Sequence, residues 1–267
     1  MKKSVWLLVL VLIVMASCND DSSKQRAEQA DNMNANKREI AEDAPSSEAK
    51  EHKGTKDVQY KVSNSWHIIP IDEEANEKVV LLTIDDAPDR YALEMAKTLH
   101  ELEAGAIFFV NGMFLETEEK KKILKDIHDM GFLIGNHTYS HAFLPDLSKE
   151  EQKEEIVRVN DVVEEIIGER PAFFRAPNGA NTDFTKQIAD EEDMVLMNWV
   201  YGYDWEPEYQ SQEALTEIML NTPLLENGAN LLMHDREWTA EALEDIVKGL
   251  RDKGFEIVDP ALIQTKQ

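Results

Sequence analysis

Val79-Val80-Leu81-Leu82-Thr83-Ile84-Asp85-Asp86-Ala87-Pro88 runs from an apolar stretch into two adjacent carboxylates and a proline. A continuous apolar run of this length reads as a strand covered on both faces, and a parallel sheet is where such strands occur. The carboxylates then fall at the strand's C-terminal end. Three later segments repeat the arrangement: His137-Thr138-Tyr139-Ser140-His141, Arg175-Ala176-Pro177-Asn178-Gly179 and Leu232-Met233-His234-Asp235 each follow an apolar run. Parallel strands that end side by side present their following loops to one face, where such folds place their chemistry. Acids, histidines and an arginine at successive strand ends therefore predict one metal-centred hydrolytic site.

Around these segments, seven stretches read as strands: 79–85, 106–111, 132–136, 172–175, 194–200, 230–233 and 255–258. Between them, 92–102, 118–130, 149–167, 183–190, 211–221 and 239–253 place apolar residues at helical spacing. Ser148 with Glu151 forms a capping box, and Gly131, Gly168 and Gly254 stand where helices end in a left-handed residue. Strands alternating with helices predict an α/β fold, either a parallel βα-barrel or an open wound sheet, with the barrel preferred. The expected form is a distorted (β/α) barrel of about seven parallel strands, one short of regular closure. Residues 58–71 add an extended segment of unassigned place.

The N-terminus reads differently. Lys2 and Lys3 precede the apolar run 5–16, which is too short to span a bilayer comfortably and has the order of an export signal. It ends in Met15-Ala16-Ser17-Cys18, which resembles the bacterial lipobox, where the signal is cut before a cysteine that is then acylated. An uncleaved signal anchor is the alternative. Cys18 is the only cysteine in 267 residues, so the chain can form no internal disulfide and lipid attachment explains it best. The expected organisation is a signal peptide at 1–17, a lipid-anchored disordered tether at 18–57 and a folded domain at 58–267. The tether is polar, with too few large apolar side chains to fold. About forty residues of such coil give a typical reach of roughly 35 Å. The domain is thus expected at the outer face of the plasma membrane, held there through Cys18.

Residues 19–57 carry ten acids and seven bases, so nearly all of the chain's net charge of −25 belongs to the folded part. A nucleic-acid partner is not expected, because binding a phosphate backbone needs clustered Lys and Arg.

Within the predicted site, successive side chains of a strand point to opposite sides, so Asp85 and Asp86 are expected to diverge and do different jobs. One would bind metal and the other act as base. His137 and His141, at i and i+4, can hold one ion from a helical turn or a tight loop. Two imidazoles and a carboxylate suit a hydrolytic Zn²⁺ or similar divalent ion, though non-haem Fe(II) uses the same set. Arg175 emerges from a buried strand and needs a carboxylate partner, for which Asp85 is the candidate. Trp205, after Tyr201-Gly202-Tyr203-Asp204, is either core or a groove wall. His234 is a candidate acid for the leaving group. His52, His67, His100 and His128 read as structural or solvated.

Taken in order, TIDDA (83–87), HTYSH (137–141), RAPNG (175–179), YGYDW (201–205) and LMH (232–234) resemble the motifs of the polysaccharide deacetylases, the NodB-like carbohydrate esterases of family 4, over residues 77–260. The resemblance implies an enzyme that removes N- or O-acetyl groups from a glycan, with one divalent ion, Zn²⁺ or else Co²⁺, Mn²⁺ or Ni²⁺. It implies Asp85 as base, Asp86, His137 and His141 as metal ligands, and Arg175 as the residue orienting the base. Asp204 would tune His234, the general acid. Asn178 would offer a backbone N–H to the oxyanion, and Trp205 and Leu232 would form the acetyl pocket. The implied substrate is acetylated cell-wall glycan, with peptidoglycan favoured by membrane tethering, and the protein is expected to be a monomer. Ile84, Ala87, Asn178 and Tyr201 depart from the family's usual residues. These departures leave a catalytically weak glycan-binding relative as the alternative, with a facial-triad oxygenase behind it.

Overall fold

A computed structural model describes residues 57–266. The expected export signal, Cys18 and almost all of the tether lie outside these residues. Six strands form a parallel sheet in the order β7 (Val195–Leu196), β6 (Phe173–Phe174), β5 (Leu133–Asn136), β4 (Ala106–Val110), β3 (Val79–Ala87) and β8 (Ala229–His234), and β9 (Glu256–Ile257) joins it beside β3. Helices α1 (Ala92–Glu101), α2 (Glu118–Asp129), α3 (Lys149–Ile167), α4 (Asp183–Glu191), α5 (Gln212–Asn221) and α6 (Glu237–Asp252) alternate with the strands. The expected (β/α) architecture with seven parallel strands is therefore present.

Period-two alternation sets the two faces of β3 and β4. Val80, Leu82, Ile84, Phe108 and Val110 pack outward against the helices, while Val79, Leu81, Ile107 and Phe109 pack inward with Phe173, Met197 and Val258. All of these except Val258, which is 2% exposed, are fully buried, and each large side chain contributes about 1.5–3 kcal/mol. Residues 58–71 supply a hairpin, β1 (Tyr60–Val62) against β2 (Ile68–Pro70), whose Tyr60 and Ile68 join the inner cluster.

The stretch 194–200 is not one long strand. Only Val195 and Leu196 pair with β6; further on, Val200 N–H donates to Asn230 O at 2.8 Å and Tyr201 O accepts from Leu232 N–H at 2.8 Å. One segment thus leaves β6 and reaches β8, drawing the sheet toward a distorted ring. Gly202 permits the approach, since a Cβ there would lie 2.3 Å from Leu232 O. Tyr201, one of the departures noted above, is buried and donates its hydroxyl to Met219 O at 2.8 Å.

Local signals behave as their chemistry requires. Ser148 and Glu151 make both bonds of the capping box, and Gly168 ends α3 at φ 84°. A cap of this kind is worth about 1 kcal/mol.

Candidate active site

Inward alternation on β3 carries past Leu81 and Thr83 to Asp85, which is 2% exposed at the C-terminal end of the sheet. Beneath it lies Arg175, from the end of β6 and completely buried. Its Nη1 donates to Asp85 Oδ1 at 2.7 Å and Thr83 Oγ1 at 2.8 Å, Nη2 to Asn198 O at 2.9 Å and Nε to Met197 O at 3.2 Å. The guanidinium also stacks 4.3 Å over the Phe109 ring. Burial lowers the pKa of Arg175 and the Asp85 charge opposes that. Asp85 is held rigidly, with Oδ2 only 3.5 Å from His137 Nε2.

Asp86 departs from the expected alternation. Its φ of 62° and a register shift between Ile84 and Ala87 turn the chain, so Asp86 joins Asp85 at the rim of one cavity instead of facing the helices. Thr138, His141 and Asn178 also adopt positive φ. Such conformations cost free energy in non-glycine residues, and they gather at functional sites. Ala87 has no positive φ and is fully buried, so an alanine fits there without backbone strain.

The side-chain ligand atoms of Asp86, His137 and His141 all lie within 4.8 Å of one another. His137 Nδ1 bonds to Arg175 O at 2.7 Å, so that nitrogen carries the proton and Nε2 keeps its lone pair toward Asp86 and His141. A backbone carbonyl fixing one ring nitrogen is how proteins orient metal-binding imidazoles. Burial pushes the pKa of His137 down despite Asp85 and Asp86, favouring the neutral, ligating form. Burial alone would raise Asp86, but the positive field of His137, His234, His141 and Arg236 outweighs it and leaves the carboxyl below its usual value. The donor set thus fits a divalent ion with open positions.

On the other side of the cavity, His234 Nδ1 meets Asp204 Oδ1 at 2.7 Å, and Asp204 Oδ2 accepts from the His234 N–H at 2.6 Å and from Thr239 Oγ1 at 2.8 Å. Burial opposes protonation of His234, yet Asp204, followed by Asp85 and Asp86, raises its pKa. Replacing Asp204 by Asn removes the largest raising influence, so any activity that needs protonated His234 should lose its alkaline limb at lower pH. A pH–rate profile of that variant checks the sign. Asp235 faces away from the cavity chemistry. Its carboxylate accepts the Arg90 N–H at 3.0 Å and the Tyr91 N–H at 2.5 Å before α1, while its own N–H donates to Asp85 O at 3.0 Å.

The cavity has a volume of about 390 Å³. It is lined by every residue given a role in the site from the sequence except Arg175, which supports Asp85 from below. Trp205 is 42% exposed and stands edge-on to His234 at 5.5 Å, a wall rather than core. Asn178, at φ 54°, takes a left-handed conformation that Asn tolerates better than a bulky aromatic does. His67 and His128 pair at the surface with Glu226 and Glu169. Sequence reasoning missed two lining residues, Trp199 and Arg236. Trp199 sat inside a stretch read as strand; Arg236 stands only two positions after His234.

Comparison with known proteins agrees with this geometry. Residues 72–196 match the family model described as polysaccharide deacetylase. A peptidoglycan-N-acetylglucosamine deacetylase of Bacillus cereus is 29% identical over 201 residues, covering 72% of this chain and 70% of that protein. The uncharacterized protein YlxY of Bacillus subtilis is 31% identical over 173 residues, 62% of this chain but only about half (51%) of its own length. Among solved structures, a family 4 carbohydrate esterase pseudoenzyme from Bacillus anthracis superposes with a TM-score of 0.61 at 28% identity, covering 68% of this chain and 63% of that one. The comparisons support a polysaccharide deacetylase domain, to whose family model residues 72–196 are similar.

Proposed function

We propose that this protein is a divalent-metal-dependent hydrolase that removes acetyl groups from N-acetylated, and by the same chemistry O-acetylated, cell-wall glycan, with peptidoglycan as substrate. One observation carries the reading: a buried Asp–Arg pair, a carboxylate–bis-histidine cluster and an Asp-backed histidine converge on a single cavity. The name of the Bacillus cereus relative favours peptidoglycan.

A divalent ion, best matched by Zn²⁺, would be held by Asp86, His137 and His141, supplying an acidified water and polarising the acetyl carbonyl. Asp85, fixed by Arg175, accepts the proton of the attacking water. His234, kept protonated by Asp204, returns a proton to the departing amine. The Asn178 backbone N–H stabilises charge on the carbonyl oxygen, and Trp205 with Leu232 encloses the acetyl methyl. The ion-dependent release of acetate from peptidoglycan glycan by purified protein tests the reading. His137→Ala should lose bound metal and acetate release together; full metal occupancy in that variant would exclude His137 as a ligand. Acetate release absent under all metals, with glycan binding kept, would favour the catalytically weak glycan-binding reading, which the pseudoenzyme among the structural neighbours keeps in view.

The same proposal places the monomeric domain at the outer face of the plasma membrane through a lipid on Cys18. Cys18→Ser should leave the membrane fraction or remain uncleaved. A mature wild-type protein without acyl mass on Cys18 would refute the anchor.

A further inference from the structure

Arg236 is the one Lys or Arg among the residues that line the cavity. Its Nη2 donates to Asp86 Oδ2 at 2.7 Å and its Nη1 to the Asp235 carbonyl at 3.0 Å. These two bonds engage two of the five N–H donors of a guanidinium. The side chain is 37% exposed, whereas Arg175 is completely enclosed by protein partners. Asp86 is thereby divided: Oδ1 faces His141 and His137 at 3.7 and 4.0 Å, and Oδ2 faces Arg236. An ion drawn to Oδ1 would withdraw charge from Oδ2 and loosen its hold on the guanidinium, freeing a planar fork for another carboxylate.

The surroundings make a fixed cation at this wall consequential. Asp85, Asp86 and Asp204 contribute three carboxylates to the cavity, and nearly all of the net charge of −25 lies in the domain around it. Within the cavity lining, the side chains able to carry positive charge toward an anionic glycan are Arg236 and the three histidines. Arg236 is also bonded directly to a residue of the reacting centre. A group it grips would therefore lie beside the metal-binding cluster, within reach of the sugar that carries the acetamide.

We propose that Arg236 is a specificity-determining residue that binds a carboxylate carried on the ring carbon next to the acetamido carbon, as in the lactyl ether of an N-acetylmuramic acid unit. The inference rests on the deacetylase reading above and deepens it. A free lactyl carboxylate pairs with the guanidinium in a bidentate, charge-assisted contact; the same group converted to an amide cannot. The site thus favours glycan whose muramic carboxylates carry no peptide.

The test compares kcat and KM of the full chain, loaded with Zn²⁺, on three matched oligosaccharides: N-acetylmuramic acid-containing glycan with free carboxylates, its methyl amide, and N-acetylglucosamine oligomer. The free acid should exceed its amide by about 10- to 100-fold in kcat/KM, chiefly through KM, the span expected of a hydrogen bond to a charged group. Arg236→Gln should abolish that preference and Arg236→Lys should retain part of it. Calorimetric binding of the deacetylated forms should show the same order. Equal losses on all three glycans, or a fall in bound metal that accounts for them, would reduce Arg236 to a support for Asp86 and overturn the proposal. So would a wild-type protein indifferent to amidation. If no glycan released acetate the deacetylase reading would fail, while the calorimetric preference would still decide the role of Arg236.

Discussion

Asp85→Asn is expected to lower turnover about 10²–10⁴-fold, the usual loss when a positioned proton acceptor is removed, while the divalent ion stays bound. The two halves of this outcome follow from separate contacts. Asp85 Oδ1 is committed to Arg175 at 2.7 Å, and the carboxylate that closes the ligand cluster with the two histidines belongs to Asp86. Asp86→Asn should accordingly weaken the ion itself. Metal analysis beside an acetate-release assay separates the roles: a metal-free Asp85→Asn together with a metalated, active Asp86→Asn would reverse them.

Arg175→Met is expected to cost about 3–5 kcal/mol of stability, because it strands a buried carboxylate without its partner. For a domain of this size the melting temperature should fall by roughly 6–20 °C. The methionine keeps much of the packing over Phe109, so the loss reports the charge rather than the volume. The double variant Arg175→Met/Asp85→Asn should recover part of the fall in thermal unfolding. No recovery would show that the Met197 carbonyl, left without the Nε–H it now accepts from, and the Asn198 carbonyl, left with Asn230 Nδ2 alone, dominate instead.

Much of this was legible in the sequence because polar, chemistry-bearing residues interrupt apolar strands at their ends, and the strand order then brings them together. The helices were legible for a similar local reason, as in the Ser148–Glu151 cap. What could not be read depends on backbone geometry or on distant pairing. The turn of Asp86 onto the same cavity as Asp85 arises from a positive φ in a non-glycine residue, which has no composition signal. The apolar stretch 194–200 reads as one strand because pairing to β6 at its start and to β8 at its end demand the same residues. Arg236 meets Asp86 across 150 positions, and nothing local in either segment announces the other.

Asp235 gives the site a mechanical property. Through the backbone N–H groups of Arg90 and Tyr91 it rivets the loop that follows His234 at the end of β8 to the loop that follows Asp86. Asp85 and His234, the proposed proton acceptor and donor, are therefore mounted on one bracket, and neither loop can be lengthened or exchanged without shifting the other. Recombining these loops between relatives should keep a working register only when both are drawn from one parent.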